Sequence, residues 1–442
     1  MTEAVLAGGY RVAMGTAAAL AAVFSRVPGA PESWRGLRDR LGRLSDEGLA
    51  TASSAPAMWL HAASVGELTA SRPLLRRLRE RFPERLLAIS TATRTGLELA
   101  HSMPETHLAF LLPLDARGPV RRILSALRLE VFFFTETEIW PTLLSELSEA
   151  GVPAFMVSGR VSERNVSRAR WLRPLYRRAL ASVTCCMQTS EDAARVIALG
   201  ADPRWVKVTG SLKFDGEEEG PPEDVRRLAA ALDASGRRAI VAGSTHEGEE
   251  AMLLDAYGRL AAGHAGLVLL LAPRHPERFD AVAKQVKAAK LPLVRYSELT
   301  ASGNGQKAVP APGVILLDAV GPLQHCYALG FAAFVGGSLV PVGGHNVLEP
   351  ARAGRPIIVG PYTENARDVV DRLIAGGGAL RVSNGESLTW GFGGLLGEPE
   401  RAVEMGRRAR ALVETGRGAV EQHLKIIATR LSSATFARTV DE

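Results

Sequence analysis

The stretch "APAMWLHAASVGELTASRPLLRRLRERF", residues 55–82, poses the fold question in 28 residues. An apolar run, 55–60, leads into "HAASVGE", 61–67. Small residues and one glycine follow, then a carboxylate where a basic amphipathic stretch begins. A continuous apolar run that feeds a helix pattern is a strand buried on both faces and entering a crossover. Glu67 at the junction has two readings. An acidic side chain suits the positive end of a helix. The carboxyl ends of strands are also where open α/β sheets hold their chemistry.

The same unit repeats along the chain. The first half offers "AMWLHAAS", "LLAIST", "HLAFLLP", "EVFFFTE", "PAFMVSG", "VTCCMQTS" and "VKVTGS", with helix-like segments such as "PVRRILSALR" between them. Alternation of this kind predicts a parallel sheet with right-handed crossovers. "DGEEEGPPED", 215–224, is acidic, carries Gly and Pro, and reads as a linker. After it the pattern restarts with "RAIVAGST", "LVLLLAPR", "PLVRYS", "VILLDAV", "FAAFVGGS" and "PIIVG". The expected division is an N-terminal segment 1–34, an α/β domain 35–214, a linker 215–236 and a second α/β domain 237–442. The terminal helix is free to pack back on the first domain. Two such halves predict a cleft between them. "SELTASGNGQKAVPAPG", 297–313, reads as a surface loop.

At 442 residues, 46% apolar and 23% charged, the chain has enough material for two full cores and is not disordered. The net charge of +6 suits acidic partners. No zinc-finger spacing or arginine-aromatic RNA motif is present, so nucleic acid is not expected as a partner. The three cysteines, Cys185, Cys186 and Cys326, form neither a disulfide framework nor a metal set. "VAMGTAAALAAVF", 12–24, is apolar but shorter than the ~20 residues of a membrane span. Arg26, Arg35, Arg38, Arg40 and Arg43 follow it, the pattern of an anchor or interfacial helix facing anionic lipid. An ordinary Ala-rich packing helix is the alternative.

Chemistry concentrates just past the strands. "TETEIWP", 135–141, puts Glu136 and Glu138 beyond "VFFF". Carboxylates there are costly to bury unless paired or reactive, although Glu138 is also a candidate cap of the next helix. Glu67 and Glu136 on neighbouring strand ends predict an acid/base arrangement. Lys213 in "TGSLKFD" is either a solvated lysine or a point charge for a phosphate or carboxylate. In the second half Arg274 of "LAPRHPERF" offers a fork for an anion, and His275 reads as structural. "FVGGSLVPVGGHNVLEPARAGRPIIVG", 334–360, carries two Gly-Gly pairs, and a helix starting near Asn346 would aim its positive end at a phosphate. Glu349 stands one turn later, placed for ribose hydroxyls. The pattern is neither G-x-G-x-x-G nor a P-loop.

Together, "HAASVGE", "TETEIWP", "TGSLKFD", "STHEGEE", "PRHPERF" and "FVGGSLVPVGGHNVLEP" closely resemble the 3-deoxy-D-manno-octulosonic acid (Kdo) transferases, from about Tyr10 to beyond Val382. The resemblance implies an α/β, GT-B glycosyltransferase fold: two facing Rossmann-like domains with an interdomain cleft. It implies inverting transfer of Kdo from CMP-Kdo to the lipid A precursor, lipid IVA. CMP is released, at the cytoplasmic face of the inner membrane. It places the proton acceptor on Glu67 and transition-state stabilisers on Glu136 and Lys213. CMP contacts fall on Pro273 and Arg274, on Val320, Gly321 and Pro322, and on Asn346, Val347, Leu348 and Glu349. Two positions depart from the family pattern: Pro322 stands for a glutamate, and Arg94 for the proline of a T-x-T-P-T-G turn. No cofactor and no protein-bound metal are expected; the partners are the donor, the lipid acceptor and an anionic membrane surface.

Overall fold

The computed structural model describes residues 3–24, 37–169, 172–216, 220–234, 236–300 and 309–440. Arg26, Arg35, Glu217–Glu219 and the loop residues 301–308 lie outside them. The chain divides into two compact units, Met1–Glu217 with Gly416–Glu442, and Glu218–Thr415.

The first unit is built on β1 (Ala57–Ala62), β2 (Leu86–Thr91), β3 (Leu108–Leu111), β4 (Leu129–Thr135), β5 (Ala154–Gly159), β6 (Val183–Met187) and β7 (Val206–Val208). The sheet order is β3-β2-β1-β4-β5-β6-β7, and every pairing is parallel. All six residues of β1 are buried, as an apolar strand covered on both faces must be. One face packs Trp59 tilted against Phe110 and edge-on to Phe132, with centroids 5.4 and 4.7 Å apart; the indole N–H donates to Ser90 Oγ at 2.8 Å. Cys185 and Cys186 lie in β6, buried and unbridged.

β1 feeds the helix Val65–Arg81. Its N-cap is Ser64, and it buries Leu68, Leu74, Leu75 and Leu78. Burial of each such leucine contributes roughly 1.5–3 kcal/mol. The helix Ala419–Val440 packs in the same layer through Val420, Leu424 and Ile427. Asp215 accepts the Gly418 and Val420 N–H groups, and His423 Nε2 accepts from Ser158 N at 3.0 Å. Residues 416–442 therefore group with the first unit rather than with 237–415.

The second unit holds β8 (Arg238–Thr245), β9 (Leu267–Pro273), β10 (Leu293–Arg295), β11 (Gly313–Leu316), β12 (Gly330–Val335), β13 (Ile357–Val359) and β14 (Ala379–Arg381). The order is β10-β11-β9-β8-β12-β13-β14, again parallel throughout. The linker expected over 215–236 is shorter than its composition implies. Glu223–Ala234 is a helix, and its Val225, Leu228 and Leu232 belong to this unit's core. The stretch expected as a surface loop begins in the short helix Tyr296–Thr300.

The apolar segment near the N-terminus forms the helix Glu3–Phe24. Leu6–Phe24 is long and apolar enough to cross a membrane, by length and composition only. Ala7, Ala18 and Ala21 are buried, and Tyr10 Oη donates to Asp115 Oδ2 at 2.7 Å, so one face lies against the first unit.

Candidate active site

In both sheets the strand order reverses beside the first strand: β4 lies next to β1, and β12 next to β8. Chains leaving two such strands diverge to opposite faces and open a crevice at their carboxyl ends. Glu67 follows β1 and Glu136 follows β4.

Glu67 sits in the first turn of its helix, and its backbone N–H bonds back to Ser64 Oγ at 3.3 Å. Its carboxylate does not point to open water. Oε2 accepts from Ala63 N at 2.9 Å and from Thr135 Oγ1 at 2.5 Å, while Oε1 accepts from Ser64 Oγ at 3.2 Å. Burial raises its pKa above the ordinary carboxylate value; the bonds from Thr135 and Ala63 oppose this, and the charges of Glu136 and Glu138 add to it. The group thus has both properties weighed from the sequence. It complements a helix start, and it is a half-buried carboxylate with raised basicity, suited to proton abstraction.

Glu136 occupies the left-handed region at φ 48°. A non-glycine residue held there is costly, and such strain collects at functional sites. The conformation aims its Oε1 at Lys213 Nζ, 3.0 Å away in the turn Leu212–Asp215. Glu67, Glu136 and Lys213, 146 positions apart end to end (213 − 67), thereby meet at one sheet edge.

Glu138 does not cap the next helix, which begins with Pro141 and has Trp140 as N-cap. Its Oε2 accepts from Trp140 Nε1 at 3.1 Å and lies 3.5 Å from Nε2 of fully buried His61. His61 is anchored on its other side, with Nδ1 3.0 Å from both Ser90 O and Oγ. Thr135, His61 and Ser64 lie inside the motifs quoted above, but none of them has a role legible in the sequence. No spacing rule links Thr135 to Glu67; only the strand order does.

In the second unit the expected CMP residues follow three of the four central strands. Pro273 and Arg274 end β9, Val320–Pro322 follow β11, and Asn346–Glu349 follow β12. The helix there is Leu348–Arg352, starting two residues later than expected and only five residues long. Asn346 Oδ1 accepts from Leu348 N at 3.1 Å, and its Nδ2 donates to Glu349 Oε1 at 3.0 Å. Burial raises the Glu349 pKa, against the Asn346 bond and the charges of Arg352 and Arg274. Gly321 has φ 109°, and a Cβ there meets nothing within 4 Å, so its backbone is open to a ligand.

The loop after β12 is held by a residue not singled out in the sequence. Glu249, wholly buried, accepts four backbone N–H groups: Gly337 at 2.7 Å, Ser338 at 3.0 Å, Leu339 at 2.9 Å and His246 at 2.9 Å. It ties the β8 exit to the β12 exit across the reversal point. Glu250 beside it takes a two-pronged bond from Arg278. Above them His246 and His345 stack with centroids 5.0 Å apart and their Nε2 atoms 2.7 Å apart; His275 packs edge-on to His246. Burial, with the neighbouring histidines and Arg274, lowers the His345 pKa to about 4.

A family model described as 3-deoxy-D-manno-octulosonic-acid transferase (kdotransferase) matches residues 35–216. A 3-deoxy-D-manno-octulosonic acid transferase of Bordetella pertussis is 39% identical over 385 residues, covering 85% of this chain and 87% of the relative. Its Haemophilus influenzae counterpart is 30% identical over 375 residues, covering 84% and 86%. Among solved structures, a UDP-GlcNAc 2-epimerase from Neisseria meningitidis aligns with a TM-score of 0.53 over 84% of this chain and 100% of that one. At 14% identity it shares the fold alone, the two-domain Rossmann-like architecture of GT-B type. With two such relatives matched along most of their length, this chain belongs to the 3-deoxy-D-manno-octulosonic acid transferase family.

Proposed function

We propose that the protein is an inverting glycosyltransferase that moves Kdo from CMP-Kdo to the lipid A precursor and releases CMP. The observation that carries this reading is the carboxylate of Glu67, half-buried and held by Thr135 at the reversal point of the first sheet, with the Glu136–Lys213 pair beside it.

Kdo is a 2-keto sugar acid. Its anomeric carbon bears no hydrogen and carries a carboxylate. As the bond from that carbon to the CMP phosphate breaks, positive charge grows on the sugar and negative charge on the phosphate. The acceptor hydroxyl oxygen forms the new bond from the opposite face, and its proton passes to Glu67. CMP departs as a phosphate monoester. Lys213 and Arg274 are the cations assigned to the departing phosphate or the sugar carboxylate. Asn346 and Glu349 are assigned to the nucleoside. On this reading the work lies at the cytoplasmic face of the inner membrane, and the apolar helix Glu3–Phe24 supports an association with a membrane.

The test is a product mass spectrum after incubation with CMP-Kdo and tetraacylated lipid A precursor. A gain of Kdo mass, with CMP but not UDP inhibiting, is expected. Absence of a Kdo adduct, or equal inhibition by UDP, overturns the assignment.

A further inference from the structure

The N-terminal helix and the body of the first unit enclose a cleft of about 350 Å³. Arg11, Arg43, Arg117 and Arg122 line it, with no acidic side chain in its lining among the described residues. Its apolar wall is Ala18, Ala19, Ala22 and Leu41.

The cleft is a built feature. Asp115 clamps the helix through Tyr10 and is itself held by the N–H groups of Thr142 and Leu143 at 2.9 and 2.8 Å. Gly42, at φ 72°, lets the backbone before Arg43 lie directly on Pro119, where a Cβ would come within 2.1 Å of the carbonyl oxygen. Arg122 Nη1 then donates to Leu41 O at 2.7 Å. Arg117 is paired with Glu146 at 2.9 Å, whereas Arg11 and Arg43 have no side-chain partner among the described residues.

Four guanidinium groups over an alanine wall match an anionic head group joined to an apolar body. The outer face of the same helix supplies the setting. Val12 (70% exposed), Leu20, Val23 and Phe24 are open, while the opposite face is committed to the protein. A helix docked along its length by Ala7, Tyr10, Ala18 and Ala21 keeps that apolar face beside the arginines rather than away from them. Guanidinium forks bind phosphate oxygens in pairs, and each basic residue near an anionic leaflet adds about 1 kcal/mol of attraction.

We infer that this cleft takes the phosphate head group of an anionic membrane phospholipid, so that the enzyme recognises the charge of the bilayer and does not merely insert an apolar helix. The inference rests on the membrane-bound reading above. Its segment 116–122 and Thr142 leave β3 and β4 at the same sheet edge as Glu67. Head-group binding there sets the lipid surface on the acceptor side of the chemistry.

The test is sedimentation of the full chain with vesicles of phosphatidylcholine alone and with vesicles also containing phosphatidylglycerol. The wild-type protein is expected to prefer the anionic vesicles. An Arg11→Ala, Arg43→Ala double variant should lose roughly 25-fold of that preference, at about fivefold per charge. Its residual binding to neutral vesicles, its melting temperature and its CMP affinity should not change. Failure of the wild-type protein to bind either vesicle would overturn the membrane reading itself. Normal wild-type preference that the double variant retains would overturn the cleft alone. A variant with unaltered vesicle binding but a raised KM for the lipid acceptor would reassign the arginines to the acceptor's own phosphates, and that also overturns the phospholipid site.

Discussion

Thr135 Oγ1 lies 2.5 Å from Oε2 of Glu67, so the last residue of β4 steadies the carboxylate that follows β1. The bond favours the ionised form and opposes the effect of burial. Thr135→Val removes it without changing shape. The Glu67 pKa should then rise further, and the acidic limb of the kcat/KM profile should move to higher pH. A lower plateau with an unmoved limb would show that Thr135 merely packs.

Glu67→Gln separates base from cap. Turnover should fall by ~10²–10⁴-fold if the carboxylate takes the acceptor proton. Stability should move the other way. Because the folded-state pKa is raised, the protonated form carries the extra stability, which is lost as pH rises through that pKa. A permanently neutral glutamine keeps it. Melting temperature at neutral pH should therefore equal or exceed wild type, and the gap should close in acid. Near-normal turnover by a folded Glu67→Gln protein would pass the role to Glu136.

The φ of 48° at Glu136 costs on the order of 1–2 kcal/mol. Its pair with Lys213 is partly exposed and offsets little of that. Glu136→Gly should thus leave thermal stability unchanged or improved while turnover drops by on the order of 10²–10³. A clear fall in melting temperature would assign the pair a structural purpose instead.

Glu249→Gln tests the β12 loop. The amide can keep two of the four backbone donors and turns its own N–H groups toward the other two. Each lost bond to a charged acceptor costs ~1.5–3 kcal/mol. Calorimetry should show weaker CMP binding together with a lowered melting temperature. Unchanged values for both would mean the loop holds its shape without this anchor.

Acid sensitivity should trace to buried histidines. His345 and His423 both have their pKa lowered from 6.5 to about 4 by burial. The unfolded chain therefore binds more protons between those values, and stability is lost as pH falls through that window. His345→Gln should remove its share, making the decline of melting temperature from pH 6.5 to 4 shallower. An identical slope would mean that His345 is not kept neutral by the fold.

Much of the architecture is legible in the chain itself. Each strand of the first sheet falls in an apolar run visible in the sequence, as do β8 to β13; the central strands are continuously apolar because both their faces are buried, whereas the edge strand β7, Val206–Val208, is largely exposed. β14 escapes notice: Ala379–Arg381 is three residues at a sheet edge, too short to show a period. The linker misleads for a related reason. Composition marks its acidic start, but the helix Glu223–Ala234 is defined by three core contacts at helical spacing. Glu138 fits a cap by position because acids precede many helices, but Pro141 opens this helix and its first free N–H groups, on Thr142 and Leu143, are taken by Asp115 from beyond β3. The sequence alone determined the fold class and the place of Glu67, Glu136 and Arg274 at strand ends, since local patterns of burial and turn are written locally. Only the tertiary structure decided which of these ends adjoin. Setting β4 beside β1, although β2 and β3 intervene in the chain, brings Thr135 to Glu67 and Lys213 to Glu136, and the resulting burial sets the basicity of Glu67.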